Sequence, residues 1–241
     1  MERLLNIREA AEFLNVSEMT VRRWTNKGAL KCYRVGGRRA RRFKPQDLLV
    51  YLEGPAVSGD PTLVSLGFNG FKVPDGSHIT HLSTDPQESA DVAAAFIVEG
   101  LTQGDTVWVV TPDAETLKVI ASVQERQPDV ESFRKAGRLH FSRGMETPKD
   151  QARFIAELAR RPGERFRIFG DMTWTKARGW VSKDLRDLEE TVAMTAATTK
   201  GMLFLCQYKL AGFSGEEALM AVETHSHSIY RGALAKNPYH R

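Results

Sequence analysis

The chain has 241 residues, of which 41% are hydrophobic and 27% charged, a globular composition long enough for two domains. It has no apolar run near the ~20 residues of a membrane span, no basic-then-apolar leader after Met1 and only two cysteines, Cys32 and Cys206. These features exclude a transmembrane protein and a disulfide scaffold and predict a cytoplasmic protein.

Positive charge is concentrated at the N-terminus. Residues 1–54 hold 12 basic and 6 acidic residues, whereas the rest of the chain has a net charge of −2. Clustered basic residues attract polyanions through phosphate charge and counterion release. We therefore expect a polyanion to bind the N-terminal segment and no membrane to be a partner.

The N-terminal segment has the pattern of a helix-turn-helix. Apolar residues at helical spacing predict a first helix over Ile7–Leu14. A short turn follows, and Ser17 is a favourable N-cap for a second helix over Glu18–Lys27. Pro45 opens a third helix over Gln46–Glu53. Two helices joined by so short a turn are typical of DNA-binding domains.

A basic hairpin lies between the second and third helices. Gly36-Gly37 separates two strand-like runs, residues 30–35 and 38–43. The second helix turns Val21 and Trp24 toward the core, so its opposite face is available to DNA, and the hairpin arginines can reach phosphates or a minor groove. The alternative is a solvated basic surface. The predicted DNA contacts are Thr20, Arg22, Arg23, Asn26, Lys27, Arg38, Arg39 and Arg41.

The composition changes after the third helix. Residues 54–76 contain five glycines and three prolines, which favours a linker. Within them, Thr62–Val73 is moderately apolar and can form a hairpin on either domain. We expect a winged helix-turn-helix domain over residues 1–54, a linker over 55–76 and an α/β domain over 77–241.

Apolar strands and amphipathic helices alternate through the C-terminal domain. Such alternation is typical of the α/β class, with a mostly parallel sheet and helices on both faces. The predicted strands cover residues 77–83, 106–111, 138–142, 166–170, 202–208 and 228–234, and the predicted helices cover 86–103, 113–127, 149–160, 183–197 and 214–223.

Three residues near the end of the chain form a candidate site. Cys206 and Tyr208 share one face of their strand, and His225 follows the next helix. In one interpretation they are structural, with a buried thiol and an imidazole that caps the helix. In a second, they line a pocket for a small organic ligand. In a third, Cys206 and His225 bind zinc or another soft metal together with His227. We assign Cys206, Tyr208 and His225 to ligand binding, and assign no residue to a metal, a cofactor or catalysis.

The N-terminal segment resembles the winged helix-turn-helix of MerR-type regulators, especially the excisionase-like subgroup. The resemblance implies DNA contacts by Thr20, Arg22 and Arg23 from the second helix and by Arg38, Arg39 and Arg41 from the wing. The long helix through which typical MerR proteins dimerise is missing. The matching segments are residues 5–11, 16–17, 21–24, 36–39 and 42–43.

Several segments of the C-terminal region match a second known family. They are residues 78–82, 96–101, 104–105, 205–208 and 213–214, with His225 and residues 237–239. Through these segments the region is similar to the MEDS family, a sensory domain of methanogens and methylotrophs. DcmR-like regulators combine these same two modules. The resemblance implies a sensor of small hydrocarbon derivatives whose core is related to RecA-type ATPases.

That relationship suggests a nucleotidase, which the residues oppose. A P-loop needs glycines to cradle phosphates and a lysine to bind their charge. The segment Ser83–Ser89, after the first strand, has neither residue type and contains Asp85 and Glu88. Asp171, after the strand over 166–170, has the position of a metal-binding acid, but such residues are common at strand ends.

We therefore predict a transcriptional regulator that binds double-stranded DNA, is not an enzyme, and senses a small organic ligand or mediates assembly through its C-terminal domain. One small reader makes few DNA contacts, so we expect a homodimer or a DNA-driven oligomer. One alternative is a degenerate RecA-type nucleotidase, which nucleotide-induced thermal stabilisation would reveal. The other is an excisionase-like architectural protein, which DNA-dependent oligomers without any ligand would favour.

Overall fold

The computed structural model describes residues 3–26, 30–37, 40–53, 62–161 and 163–238. The chain divides into two compact units, Met1–Asp60 and Pro61–Arg241. No helix among the described residues is long and apolar enough to cross a membrane.

The first unit contains the predicted helix-turn-helix and hairpin. Its elements are α1 (Ile7–Phe13), α2 (Glu18–Asn26), β1 (Tyr33–Val35), β2 (Ala40–Arg42) and α3 (Pro45–Glu53), with β1 and β2 antiparallel. The Ser17 hydroxyl accepts a hydrogen bond from the Thr20 N–H at 3.2 Å, which caps α2. Ala10 on α1, Val21 on α2, Leu48 on α3 and Phe43 after β2 are fully buried, so the three helices and the hairpin share one core.

The chain after residue 61 forms a hairpin that belongs to the second unit. Strands β3 (Leu63–Ser65) and β4 (Lys72–Pro74) are antiparallel, and Leu66 and Val73 are fully buried in the core of that unit. A Cβ added to Gly67, at φ +89°, would lie 2.5 Å from the Ala95 carbonyl oxygen, which shows how closely the hairpin packs. The predicted linker over 55–76 is therefore too long at its C-terminal end, and residues 54–61 lie outside the described residues.

A seven-stranded sheet forms the centre of the second unit. Its strand order is β11-β10-β5-β9-β8-β6-β7, and all neighbours are parallel except β10 and β11. The strands are β5 (His78–Ser83), β6 (Thr106–Val110), β7 (Leu139–Ser142), β8 (Phe166–Asp171), β9 (Met202–Lys209), β10 (His227–Tyr230) and β11 (Ala233–Lys236).

The prediction of one final strand over 228–234 is wrong, because that segment is a hairpin. Arg231 and Gly232 have φ values of 47° and 70° and separate β10 from β11. Two consecutive residues with positive φ make the tight turn that suits the twist of two antiparallel strands. Arginine is rare at such a position, so the sequence gives a weak turn signal there.

Helices cover both faces of the sheet, as predicted. Alternate residues of β9 divide between two apolar cores: Leu203 and Leu205 pack with α4 and α5, while Phe204 and Cys206 pack with α7, α9 and α10. The two short helices, α6 and α8, were not predicted. The helices are α4 (Pro86–Gln103), α5 (Asp113–Arg126), α6 (Val130–Lys135), α7 (Pro148–Leu158), α8 (Thr173–Ala177), α9 (Ser182–Thr198) and α10 (Gly215–Thr224).

A buried ion pair lies between β8 and α4. Arg167 is fully buried, and its Nε donates to Asp105 Oδ2 at 2.7 Å. The guanidinium lies 5.2 Å from the centre of the Phe96 ring. Arg165 Nε donates to the other oxygen of Asp105 at 3.1 Å. Asp105 thus supplies the charge that compensates Arg167 inside an apolar core.

Candidate functional site

One face of α2 exposes basic side chains. Arg22 and Arg23 are exposed, whereas Val21 on the opposite side is fully buried. Trp24 packs on Tyr51 with ring centroids 5.0 Å apart, so it belongs to the core, as predicted. A helix with one basic, exposed face has the form that the major groove of DNA accepts.

Two of the predicted DNA contacts bind each other. Arg41 on β2 donates from Nη2 to Asn26 Oδ1 at 2.6 Å and from Nε to Thr25 Oγ1 at 3.1 Å. These bonds fix the wing strand against the end of α2. Thr20 is half-buried, with its hydroxyl 3.0 Å from that of Ser17. The other predicted contacts, Lys27, Arg38 and Arg39, lie outside the described residues.

In the second unit, five polar side chains form a group that we call the buried cluster: His78, Glu189, Cys206, Tyr208 and His225. His78 is the first residue of β5, Glu189 lies within α9, Cys206 and Tyr208 lie on β9, and His225 follows α10. Cys206 is 7% exposed and the other four side chains are 1% exposed or less. The three ligand residues predicted from the sequence are thus together, and His78 rather than His227 supplies the second imidazole.

The carboxylate of Glu189 is the centre of the cluster. Its Oε1 accepts a hydrogen bond from the Tyr208 hydroxyl at 2.5 Å. Its Oε2 lies 3.1 Å from His78 Nε2, 3.7 Å from His225 Nε2 and 3.8 Å from Cys206 Sγ. Cys206 Sγ and His78 Nε2 are 3.4 Å apart. One oxygen therefore faces two imidazoles and a thiol.

The two histidine rings are held close together. Their centroids are 3.6 Å apart with an interplanar angle of 32°. His225 Nδ1 lies 2.6 Å from the Ala221 carbonyl oxygen, which can only accept, so Nδ1 carries a proton and donates it there. In the neutral ring, Nε2 then has a lone pair, and it is this atom that faces Glu189.

The interior disfavours the charged forms of the acids in the cluster. Burial raises the pKa of the Glu189 carboxyl, although His225, Tyr208 and Cys206 oppose the shift. Burial, followed by the neighbouring Glu189, raises the pKa of the Cys206 thiol and of the Tyr208 hydroxyl well above their ordinary values. Negative charge at this place therefore requires a compensating positive charge.

A small apolar cavity borders the cluster. It has a volume of about 30 Å³, and Glu189 and Cys206 form part of its wall. Tyr208, two residues after Cys206 on β9, is fully buried. The apolar lining residues include Ile155, Ile168, Trp174, Val192 and Phe204.

In the segment between β5 and α4, where an ATPase would have its phosphate-binding loop, an aspartate occupies the helix N-terminus. Asp85 caps α4 and accepts hydrogen bonds from the N–H groups of Gln87 and Glu88 at 2.7 and 3.3 Å. These are donors that a phosphate would need at a helix N-terminus. Asp171, the strand-end acid, accepts from Lys209 Nζ at 2.7 Å and from the Thr173 hydroxyl at 2.7 Å.

Comparison with known families matches both units. Residues 77–226 match the MEDS model, described as the methanogen/methylotroph, DcmR sensory domain, and residues 4–55 match a helix-turn-helix domain. The chain belongs to the MEDS family. It is 31% identical over 239 residues to the transcriptional repressor DcmR of Methylorubrum extorquens (strain DSM 6343 / CIP 106787 / DM4), covering 93% of this chain and 90% of that protein. The chain is thus a DcmR-like protein with a helix-turn-helix and a MEDS domain.

Two solved structures are similar in fold to part of this DcmR-like chain. The KaiC-like protein PH0186 from Pyrococcus horikoshii OT3 aligns with a TM-score of 0.51 and 14% identity, over 70% of this chain and 80% of that one. The flagellar accessory protein FlaH from Methanocaldococcus jannaschii gives a TM-score of 0.46 and 11% identity, over 73% and 84%. The likeness to the KaiC-like protein shows the fold of the α/β domain alone, and so low an identity says nothing of its chemistry.

Sequence reasoning missed two members of the buried cluster. Glu189 lies in a polar stretch of α9, yet it follows Leu185 by four residues and precedes Val192 by three, so it shares their buried face. An acid at an apolar helical position is a signal that could have found it. His78 opens β5, and only the sheet order, which places β5 beside β9, brings it to Cys206.

Proposed function

We propose that this DcmR-like protein is a transcriptional regulator that binds double-stranded DNA and whose MEDS domain senses a small organic molecule in the cytoplasm. The observation that carries the proposal is the pairing, in one chain, of an exposed basic helix face with a buried polar cluster beside an apolar cavity. A ligand-controlled regulator needs a surface that binds DNA and a site that binds the ligand. The binding of the ligand must change the affinity for DNA, and the binding of DNA must change the affinity for the ligand.

The proposed DNA contacts are those predicted from the sequence. Arg22 and Arg23 are exposed on α2 and suit phosphate or base-edge contacts. Arg41 keeps its charge while it positions the wing against Asn26. A homodimer or a DNA-driven oligomer would double the contacts of so small a reader. The full proposed set is Thr20, Arg22, Arg23, Asn26, Lys27, Arg38, Arg39 and Arg41.

The proposed receptor is the cavity with Cys206, Tyr208 and His225 beside it. Its volume of about 30 Å³ is small, so the receptor suits a ligand of only a few heavy atoms. A ligand that binds one state of the domain more tightly than another shifts the population toward that state. A tight apolar cavity with a polar wall therefore suits a switch for small hydrocarbon derivatives.

We also propose that the domain is not catalytic. The acid that caps α4 occupies the donors a phosphate would need, and Asp171 is engaged by Lys209 and Thr173. The five side chains of the buried cluster are at most 7% exposed, which leaves little surface for a polar substrate to contact.

The test is a reporter assay with a panel of one- and two-carbon alcohols, aldehydes and halides as probes. Tyr208→Phe removes one buried hydroxyl and should change the dose response, while operator binding without a probe stays at the wild-type level. Tyr230→Phe is the matched control, because Tyr230 is 40% exposed on β10. Melting curves show whether Tyr208→Phe costs only the ~1–3 kcal/mol of an unsatisfied buried partner.

A second surface of the α/β domain is an alternative binding site for the probes, and a separate variant tests it. An open groove of about 600 Å³ is lined by Asp113, Phe141 and Arg143, among others. If Arg143→Ala alters the response and Tyr208→Phe does not, the receptor is the groove and the proposed site is wrong. If neither variant nor any probe changes DNA binding, the domain serves assembly rather than sensing.

A further inference from the structure

The buried cluster offers four metal-binding atoms at close range. His78, Glu189, Cys206 and His225 each place one nitrogen, oxygen or sulfur within 4.8 Å of those of the other three. They come from β5, α9, β9 and the residue after α10, so the tertiary fold, rather than a local sequence motif, brings them together.

Four of the six distances between these atoms are close to the edges of a small tetrahedron. Zinc binds nitrogen or oxygen at about 2.0–2.2 Å and sulfur at about 2.3 Å, and tetrahedral angles then separate neighbouring ligand atoms by roughly 3.3–3.6 Å. The four measured separations that involve Glu189 Oε2 or His78 Nε2 are 3.1, 3.4, 3.7 and 3.8 Å. Shifts of a few tenths of an ångström would make these four coordination edges, and the remaining two pairs of atoms lie within 4.8 Å.

We propose that His78, Glu189, Cys206 and His225 bind one divalent metal ion of the zinc class in tetrahedral coordination. The site goes beyond the proposed regulatory function, and it stands or falls without reference to DNA or an organic ligand. It also departs from the expectation, drawn from the sequence, that no residue binds a metal.

The charges favour an ion at this place. A carboxylate, a thiolate and two neutral imidazoles carry two negative charges, which a divalent cation balances to zero. A neutral site suits an apolar interior, whereas an uncompensated carboxylate and thiolate do not. The metal would deprotonate Cys206 and reverse the effect of burial on both acids.

Outer hydrogen bonds orient two of the ligands. His225 Nδ1 donates to the Ala221 carbonyl oxygen, which directs the lone pair of Nε2 toward the cluster. The Tyr208 hydroxyl binds Glu189 Oε1 and leaves Oε2 facing His78, Cys206 and His225. Metal sites use such partners to fix the tautomer of a histidine and the direction of a carboxylate.

The ligand set selects the kind of ion and the kind of site. Thiolate and imidazole favour zinc and related transition metals over magnesium or calcium, which take oxygen ligands. Four protein ligands complete a tetrahedral shell and leave no position for a substrate, so the site is a closed one. Its role is to join two strands and two helices of the MEDS domain.

The test uses the untagged full chain, so that no polyhistidine tag contributes metal. Protein purified from zinc-supplemented cells should contain one zinc per chain by mass spectrometry of the elements. Because the site is buried, the ion must be exchanged by unfolding in chelator and refolding with Co²⁺. The refolded protein should show the visible bands of four-coordinate cobalt and a thiolate-to-cobalt charge-transfer band.

A matched pair of cysteine variants assigns the ligand. Cys206→Ser should lose the charge-transfer band, and Cys32→Ser, which changes the half-buried cysteine of the first unit, should keep it. X-ray absorption of the zinc-loaded wild type covers the case in which Cys206→Ser does not fold. It should report one sulfur and three nitrogen or oxygen ligands.

Three results would overturn the proposal: less than a tenth of a zinc per purified chain together with no cobalt bands after refolding; a charge-transfer band that survives in folded Cys206→Ser; or a metal shell without sulfur. The outcome can be told apart from that of the proposed function, although the two sites share Cys206 and His225. Loss of the probe response with the metal retained refutes sensing alone, and a normal response in a chain that never binds metal refutes the metal site alone.

Discussion

Asp105→Asn should destabilise the MEDS domain more than its single atom change suggests. The substitution removes the negative charge beside Arg167, which is fully buried and whose Nε lies 2.7 Å from Asp105 Oδ2. Removing one partner of a buried ion pair leaves the other charge uncompensated and costs about 3–5 kcal/mol. The half-exposed Arg165, at 3.1 Å, adds at most about 1 kcal/mol. Since the amide oxygen can still accept from Arg167, we expect about 3 kcal/mol.

Thermal and urea unfolding of the full chain, followed by circular dichroism, measure this effect. For a domain of this size, about 3 kcal/mol lowers the melting temperature by roughly 6–12 °C. Asp113→Asn is the control, because Asp113 pairs with Arg143 at 3.7 Å and both side chains are more than two-thirds exposed. That variant should unfold within about 1 kcal/mol of the wild type.

A double variant separates charge from packing. Asp105→Leu combined with Arg167→Met replaces the pair by apolar side chains and should recover most of the lost stability. If Asp105→Asn unfolds like Asp113→Asn, the charge of Arg167 does not depend on Asp105 and our reasoning is wrong. If the single variant is unstable and the double variant does not recover, the Arg167 stem, which packs against Gly100, is what matters.

Three further predictions concern DNA binding, domain boundaries and pH. Arg23→Ala should reduce the magnitude of the slope of log affinity against log salt concentration by about 0.9 if Arg23 neutralises one phosphate, as measured by fluorescence anisotropy. Arg134→Ala, which changes an exposed arginine of the second unit, should leave that slope unchanged. Limited proteolysis followed by mass spectrometry should find cuts within residues 54–61, where the sequence is rich in glycine and proline. It should find none within residues 63–74, where Leu66 and Val73 are buried, and early cuts in this β3–β4 hairpin would contradict its packing. Burial lowers the pKa of His81, although Glu88 opposes the shift, so His81 binds a proton more readily in the unfolded chain. Stability should therefore fall as the pH drops below about 6.5. His81→Gln should reduce that loss in urea melts at pH 5.5 and 7.5, and an unchanged pH dependence would assign the loss to other groups.

The elements that could be predicted from the sequence are those with a strong local pattern. The helix over Pro86–Gln103 has a capping Asp85 before it and Gly104 after it, and its predicted bounds match the structure. The parity of β9 places Cys206 and Tyr208 on one face, which the buried cluster confirms. Local pattern cannot show the order of strands in the sheet, and that order is what adds His78 to the cluster.

The residues that escaped prediction are polar ones whose burial depends on distant partners. Arg167 interrupts an apolar strand, and nothing in its neighbourhood along the chain indicates Asp105 as its partner. Glu189 is followed by Glu190 and preceded two positions earlier by Asp187, so the local sequence of α9 suggests a solvent-exposed acid. In both cases the compensating group is far away in sequence, and only tertiary packing decides that the charge is inside.

The position of β5 between β9 and β10 has a consequence for synthesis. The first strand of the large sheet pairs with strands that end more than a hundred residues later, and the His78 N–H binds the Ser226 hydroxyl across 148 positions. Contacts of such long range form slowly. At about 5–20 residues per second, roughly 10–30 s separate completion of the DNA-binding unit from emergence of β10. Between the emergence of β5 and that of β9, both edges of β5 are unpaired and prone to aggregate, so the nascent chain can present a finished DNA-binding unit while its MEDS domain is still unassembled.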